Sequence, residues 1–189
     1  MTAPDRCAIL LGSQRHGENT MSMPEMRRKL QHIPHDECLA MLRDGQFGTL
    51  AVHGADGYPY AVPMNYALLD NGEELPLICM HSAQQGHKID AIARVAKVSF
   101  TVVGQSRIVP ERITDYFQSV IAFGRAWVED DPHIRLDALH ALGEKYCAGF
   151  ENLVEDDIAK SGPRCSIILV RIEQMTGKEG RDLAKARRE

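Results

Sequence analysis

The chain contains no apolar run longer than a β-strand, whereas a membrane-spanning helix needs about 20 such residues. Near the N-terminus CAILLG is too short for the apolar core of a secretion signal, which takes about 7–15 residues; no membrane partner and a cytoplasmic location are expected. A basic excess is also missing. The 22 Lys and Arg face 26 Asp and Glu, for a net charge of −4, so no broad positive field is offered to nucleic acid. Cysteine is sparse and odd in number: Cys7, Cys38, Cys79, Cys147 and Cys165 form no CxxC pair, which argues against a disulfide framework and a zinc site. Cys79 and Cys165 lie inside apolar runs, as small buried thiols do. Pro34 interrupts the compact pair His32 and His35, and no metal site is expected. The GxSxG elbow, the phosphate-cradling P-loop and the dinucleotide fingerprint are all absent.

What remains fits one domain. At 189 residues, 44% apolar and 25% charged, the chain is long enough to bury a sizeable core unaided. Residues 1–27 lack periodicity and read as a mobile leader, 28–179 as the domain, and 180–189 as a solvated tail. PHDECLAMLRDG suits a helix, with Pro34 in its first turn, Asp36 and Glu37 at its positive end and Gly45 after it. FGTLAVH, YAVPMNYALL and LPLICMH read as strands separated by Asp-Gly and Asn-Gly turns, an antiparallel meander because the connections are too short for a crossover helix. GHKIDAIARVA has helical spacing and KVSFTVV is a strand. Residues 104–115 read as a loop or helical turn around Pro110. QSVIAFGRAWVE is a long strand in which Gly124 marks a bend or close approach, with Ser119 and Arg125 on one face. Pro132 to Tyr146 reads as a helix with Ile134, Leu136, Leu139 and Leu142 on its apolar face and His133 and His140 on the solvent side. A polar acidic segment then leads to a final strand, CSIILVRIE. The fold class is mainly β (α+β): a six-stranded antiparallel split β-barrel with peripheral helices, since closure removes exposed edges.

The segment HSAQQGHK, at the seam of a strand and a helix, holds the parts of an anion site. Ser82 can cap the helix, Gly86 lets backbone approach closely, and Lys88 and His87 add donors to a helix N-terminus that already attracts phosphate. A plain capped helix with solvated polar residues is the alternative. In VPMN, Pro63 cannot donate to a ladder and belongs at an edge or bulge. The neighbouring backbone is left for a flat heteroaromatic ring or for solvent. His81 follows Cys79 and Leu77 on one strand face, which places it inward or at a cavity rim, where a histidine can exchange a proton near neutral pH or simply be satisfied by its surroundings.

DGYPYAVPMNYA, MHSAQQGHKIDAI, FQSVIAFGRAWVEDD and RIEQMTGKE, in this order, resemble the flavin-binding split-barrel proteins, and most of all the nitroimidazole-resistance reductases of the pyridoxamine 5′-phosphate oxidase-like superfamily. The resemblance implies an FMN-dependent homodimer with each flavin in a groove between two barrels. It implies that Val62, Pro63, Met64 and Asn65 face the isoalloxazine through their backbone, and that His81, Ser82 and Ala83 border the ring and ribityl chain. Gly86, His87 and Lys88 would hold the phosphate, Ser119 would lie where the long strand passes the cofactor, and His81 would deliver protons. GKEGRDLAKARRE has no counterpart of the arginine-bearing substrate segment of true pyridoxamine phosphate oxidases, so vitamin B6 oxidation is not implied.

The activity implied is transfer of electrons from transiently bound NADH or NADPH, through FMN, to a nitroaromatic or similar small flat acceptor. The alternative is a protein of the same fold that binds flavin or haem without turnover.

Overall fold

Two consecutive strands, Pro59–Met64 (β3) and Ala67–Leu69 (β4), lie at opposite ends of one sheet, and this fixes the architecture. In the computed structural model, which describes residues 25–189, the order is β3-β2-β6-β7-β8-β5-β4 with β1 beside β8. The strands are His32–Ile33 (β1), Gly48–His53 (β2), Leu77–Ala83 (β5), Lys97–Val109 (β6), Thr114–Glu129 (β7) and Cys165–Glu179 (β8). Every pairing is antiparallel. Only Asn65 and Tyr66 separate β3 from β4, and that link reaches at most about 11 Å. The sheet must therefore curl until its ends meet, forming a barrel split between β3 and β4 and not closed by hydrogen bonds.

Eight strands replace the six expected. The run over 60–69 divides in two, and the two-residue β1 is added. The expected meander is interrupted for the same reason: β3 pairs with β2 while β4 pairs with β5. Pro63, facing Thr49 in the ladder, sits in an edge strand, where its missing N–H leaves no neighbour unpaired. Residues 104–115 are mostly a hairpin arm and not a loop, with the helical turn expected around Pro110 confined to Pro110–Arg112 at its tip. A bulge between Val103 and Gln105 bends β6, after which Gln105, Ser106 and Arg107 pair with Gln118, Phe117 and Tyr116 of β7. Gly124 marks a close approach, since a side chain there would run into the carbonyl of Arg171.

Among the described residues five helices pack around the sheet: His35–Asp44 (α1), His87–Arg94 (α2), Pro132–Tyr146 (α3), Glu151–Ser161 (α4) and Arg181–Ala186 (α5). The barrel interior holds Leu50, Phe100, Val120, Ile168 and Val170, with Ala91 and Ile92 of α2 inserted beside them. A second cluster, Leu77, Cys79, Ile167 and Leu169 with Ala138 and Leu142 of α3, covers the other face of β5 and β8. Asp131 caps α3 by accepting from the N–H groups of His133 at 2.8 Å and Ile134 at 3.3 Å. Leu136, expected on the apolar face of α3, is 40% exposed. His140, expected in solvent, turns toward α4 and meets Glu155 at 3.1 Å.

The C-terminal segment, expected to be solvated throughout, carries α5 and is tied back by Arg187, which pairs with Glu179 and Glu37. The expected leader over 1–27 lies outside the described residues except for its last three. Among the described residues no helix is long and apolar enough to cross a membrane.

Candidate functional site

β5 alternates with period two. Ile78, Met80 and Ser82 point into the barrel, and Leu77, Cys79 and His81 point toward α3. Ser82 is 6% exposed, and its hydroxyl finds no hydrogen-bond partner among the described residues. A buried hydroxyl left unpaired is expensive, at about 1–3 kcal/mol, and points to a group that binds there. Ser82 does not cap α2, as the sequence suggested, because on the inward face of β5 it lies behind the turn. Nothing caps this helix from a side chain. Its first internal hydrogen bond runs from the N–H of Asp90 to the carbonyl of Gly86 at 3.1 Å, so the donors of His87, Lys88 and Ile89 remain free in the helix ladder.

Gly86 adopts φ +137°, and a Cβ placed there would meet nothing within 4 Å. The glycine is required by backbone conformation, and the space around it is open. Lys88 is half-buried and His87 is exposed, with the His87 ring set edge-on to Tyr60 at 6.1 Å between centroids. A buried free hydroxyl, uncapped helix donors and one lysine together form a donor set suited to a phosphate.

The β3 end of the predicted site meets β5 at a cavity. Extending the register of Ala67 with Cys79 brings Asn65 opposite His81, and both line a cavity of about 830 Å³. Its walls are Leu139, Leu142, Phe150, Leu153, Val154 and Ile158 of the α3–α4 hairpin. His81 stands at the rim, exposed and without a hydrogen-bond partner among the described residues. Asn65 is held by its side-chain amide, which donates to the carbonyl of Gln46 at 3.2 Å. Val62 and Met64 are half-buried while Pro63 faces outward, so one edge of β3 offers unpaired backbone beside them. Ala83 ends β5 at its pairing with Cys165.

Ser119 lies elsewhere in the chain. His81 sits level with Ile167, which faces Glu129 on β7, whereas Ser119 faces Lys178, ten residues back along β7. At about 3.3 Å per residue this is roughly 30 Å away. Arg125 is engaged on the surface, donating from Nε to Glu173 at 2.8 Å.

The sequence reading missed the α3–α4 wall. Phe150, Leu153, Val154 and Ile158 stand among many charges, yet their i, i+3, i+4, i+8 spacing is the signal of a helix face that could have found them. Tyr146 was also missed. It lines the cavity and braces the β3–β4 link: its hydroxyl accepts from the N–H of Tyr66 at 3.0 Å.

The same architecture occurs in solved structures. A candidate 5-nitroimidazole antibiotic resistance protein from Bacteroides thetaiotaomicron is 20% identical, with a TM-score of 0.62 over 79% of this chain and 86% of that one. A FAD-binding protein from Mesorhizobium loti is 22% identical, with a TM-score of 0.57 over 79% and 96%. A FAD- and haem-binding protein from Mycobacterium smegmatis is 18% identical, with a TM-score of 0.65 over 84% and 80%. These likenesses establish the fold. None of the curated proteins compared matches the chain. The pyridoxamine 5′-phosphate oxidase family model matches residues 34–179, which takes in every strand from β2 to β8, and the chain belongs to that family.

Proposed function

We propose that the protein is a flavin-dependent oxidoreductase that passes electrons from NADH or NADPH to a small flat acceptor such as a nitroaromatic, working in the cytoplasm as a homodimer. The observation that carries this reading is the buried, unpartnered hydroxyl of Ser82 behind the uncapped first turn of α2. The residues fit the phosphate and ribityl chain of an FMN unit. Ser82 and the free N–H groups of α2 would donate to it, Gly86 leaves room for it, and His87 and Lys88 supply charge and further donors.

When bound, the flavin supplies the electron and hydride transfer that no side chain of the chain offers. The unpaired edge beside Val62, Pro63, Met64 and Asn65 presents backbone groups to a ring. His81 holds a proton at the rim of the apolar cavity, within reach of an acceptor lodged there. The α3–α4 wall gives that space an apolar lining. Ser119 would join the site from a second copy of the chain, since its own chain keeps it remote. Relatives named for FAD binding and for candidate nitroimidazole resistance support the reading.

The test is an absorbance spectrum of the purified protein, then addition of NADH or NADPH and of a nitroimidazole. Yellow protein bleached by the donor and reoxidised by the acceptor is expected. Colourless protein whose melting temperature ignores added FMN overturns the reading, because a tight ligand must raise the stability of the fold it binds. A second reading, haem or flavin binding without turnover, is favoured by the size and apolarity of the cavity beneath His81 and predicts a Soret band or inert yellow protein.

A further inference from the structure

Helix α4 buries none of its residues, although one side of it is apolar. Phe150, just before its first turn, is 60% exposed and Leu153 is 63% exposed. With Val154, Asp157, Ile158 and Ser161 they line the cavity beside His81. An apolar helix face is normally covered, and this one lies open at Phe150 and Leu153. We propose that the substrate covers it: the electron acceptor carries a linear aliphatic chain, which lies along α4 while its flat ring sits at His81. The inference rests on the oxidoreductase reading above and names the substrate class of that same site.

Shape gives the first argument. Residues 150–161 extend for about 16 Å at 1.5 Å per residue, and the cavity they line holds about 830 Å³. That volume lies toward the top of the range for drug-sized ligands, about 300–1,000 Å³, and far exceeds what one nitro-substituted ring fills. The wall is fixed. The helices α3 and α4 touch at Gly143, where a Cβ would run into Val154, and Leu139 and Leu142 of α3 continue the apolar lining.

Polarity gives the second argument, because most polar groups of the lining are already paired within the chain. Ser161 Oγ donates to Asp157 at 3.0 Å, and Cys165 Sγ donates to the carbonyl of Gly162 at 3.2 Å. The amide of Asn65 is held by the carbonyl of Gln46, and the hydroxyl of Tyr146 by the carbonyls of Gln46 and Tyr66. The Cys147 thiol is only a weak donor. His81 stands exposed on the sheet side of the cavity, without a hydrogen-bond partner among the described residues. A ligand matched to this lining has one polar region, at His81, and an apolar remainder. The aliphatic chain serves binding and orientation and takes no part in electron transfer.

The experiment uses flavin-loaded, full-length protein and 1-alkyl-2-nitroimidazoles with methyl, butyl, octyl and dodecyl chains. Reduction rates are measured, and binding is measured by calorimetry with the electron donor withheld. KM and Kd are expected to fall at least twofold per added methylene, up to the roughly fourfold of full burial, and to level off once the chain outgrows α4. Leu153→Ser and Phe150→Ser, on the exposed side of the wall, should each cut the advantage of octyl over methyl by about tenfold, with melting temperatures near that of the wild type. Affinity that is flat with chain length, while the methyl compound is still reduced, overturns the inference and leaves the oxidoreductase reading standing; a cavity covered by a second copy of the chain gives that result. Reduction of no member of the series overturns both. A chain-length gain that survives in both serine variants places the chain elsewhere and overturns the inference.

Discussion

The phenol of Tyr146 holds Tyr66 by both of its backbone groups. It accepts from the Tyr66 N–H at 3.0 Å, and its single proton lies within reach of two carbonyls, Tyr66 at 2.8 Å and Gln46 at 2.5 Å. Tyr66 lies where the chain leaves one edge of the sheet and enters the other, and Gln46 leads into β2. A side chain from α3 thus pins the seam of the barrel, and Asn65 is carried in that seam.

Tyr146→Phe should therefore loosen the seam without emptying the core. The Tyr66 N–H and carbonyl lose their partner while the Gln46 carbonyl keeps the Asn65 amide, and solvent can reach part of the seam because Tyr146 is 36% exposed. A loss of about 1–2 kcal/mol is expected, read by denaturant midpoint. Flavin should also be retained more weakly. An unchanged midpoint would show that the seam holds without the phenol.

The part of the fold that depends on local chemistry was legible in the sequence. Pro132 announced the start of α3, Pro63 an edge or bulge, and Gly124 a bend or close backbone approach. What depends on distant partners was not legible. The division of 60–69 into β3 and β4 is set by where β2 and β5 lie, and nothing within YAVPMNYALL encodes it. The hairpin arm beyond Val103 is held by polar pairs, among them Gln105 with Gln118 at 2.9 Å, so it lacks the apolar alternation that marks a strand. The site divides the same way. HSAQQGHK was readable as a polar strand-to-helix seam, but the inward turn of Ser82 depends on register with β8, and the cavity beside His81 depends on α4.

Acid should weaken the anchor of α5. Glu179 is 1% exposed, and Arg187 donates to it from Nε and Nη2, both at 2.9 Å. These hydrogen bonds hold the Glu179 carboxyl below the usual carboxylate range, with Gln118 assisting. A carboxyl lowered in the folded state stabilises the protein above its unfolded value, about 4.3, and that contribution is lost as the pH falls through the folded value. The melting temperature should therefore hold from pH 7 to about 5 as far as this pair is concerned, and drop as the pH is taken below the unfolded value of about 4.3. Arg187→Ala should lose about 2–3 kcal/mol at pH 7, less than a fully buried pair because Arg187 is 31% exposed, and should flatten the acid slope. A slope identical to the wild type would remove Glu179 as its source.

Thiol reactivity should separate the cysteines. Burial, with Glu37 and Asp36 nearby, pushes the Cys38 thiol up to about 11, and burial pushes Cys79 up to about 11. At pH 8 only about a thousandth of each is thiolate. Cys147 is exposed and Cys165 half-buried. Brief iodoacetamide treatment with peptide mapping should label Cys147 before Cys165 and leave Cys38 and Cys79 unlabelled until the protein unfolds. Early labelling of Cys79 would mean that α3 lifts from the sheet.

His81→Gln should separate binding from turnover. The side chain makes no hydrogen bond among the described residues and borders the cavity, so flavin content and melting temperature should stay near those of the wild type. The rate of acceptor reduction should fall by about 10²-fold or more, the usual scale for a positioned proton donor. A wild-type rate would leave His81 as a rim residue only.

Ser82→Ala gives opposite signs for the empty fold and the occupied one. In the ligand-free protein the hydroxyl is buried and unpaired, so its removal should raise stability, by about 1 kcal/mol. With flavin bound, the same hydroxyl should be a donor to the phosphate or ribityl chain, and its loss should weaken affinity by roughly tenfold, the equivalent of about 1.4 kcal/mol. Melting curves with and without flavin read both effects in one experiment, since the ligand-induced shift reports affinity. A structural serine would destabilise both forms alike when replaced. A serine that waits for a ligand makes the empty protein more stable and the flavin-induced shift smaller, and only that crossing of signs supports the site.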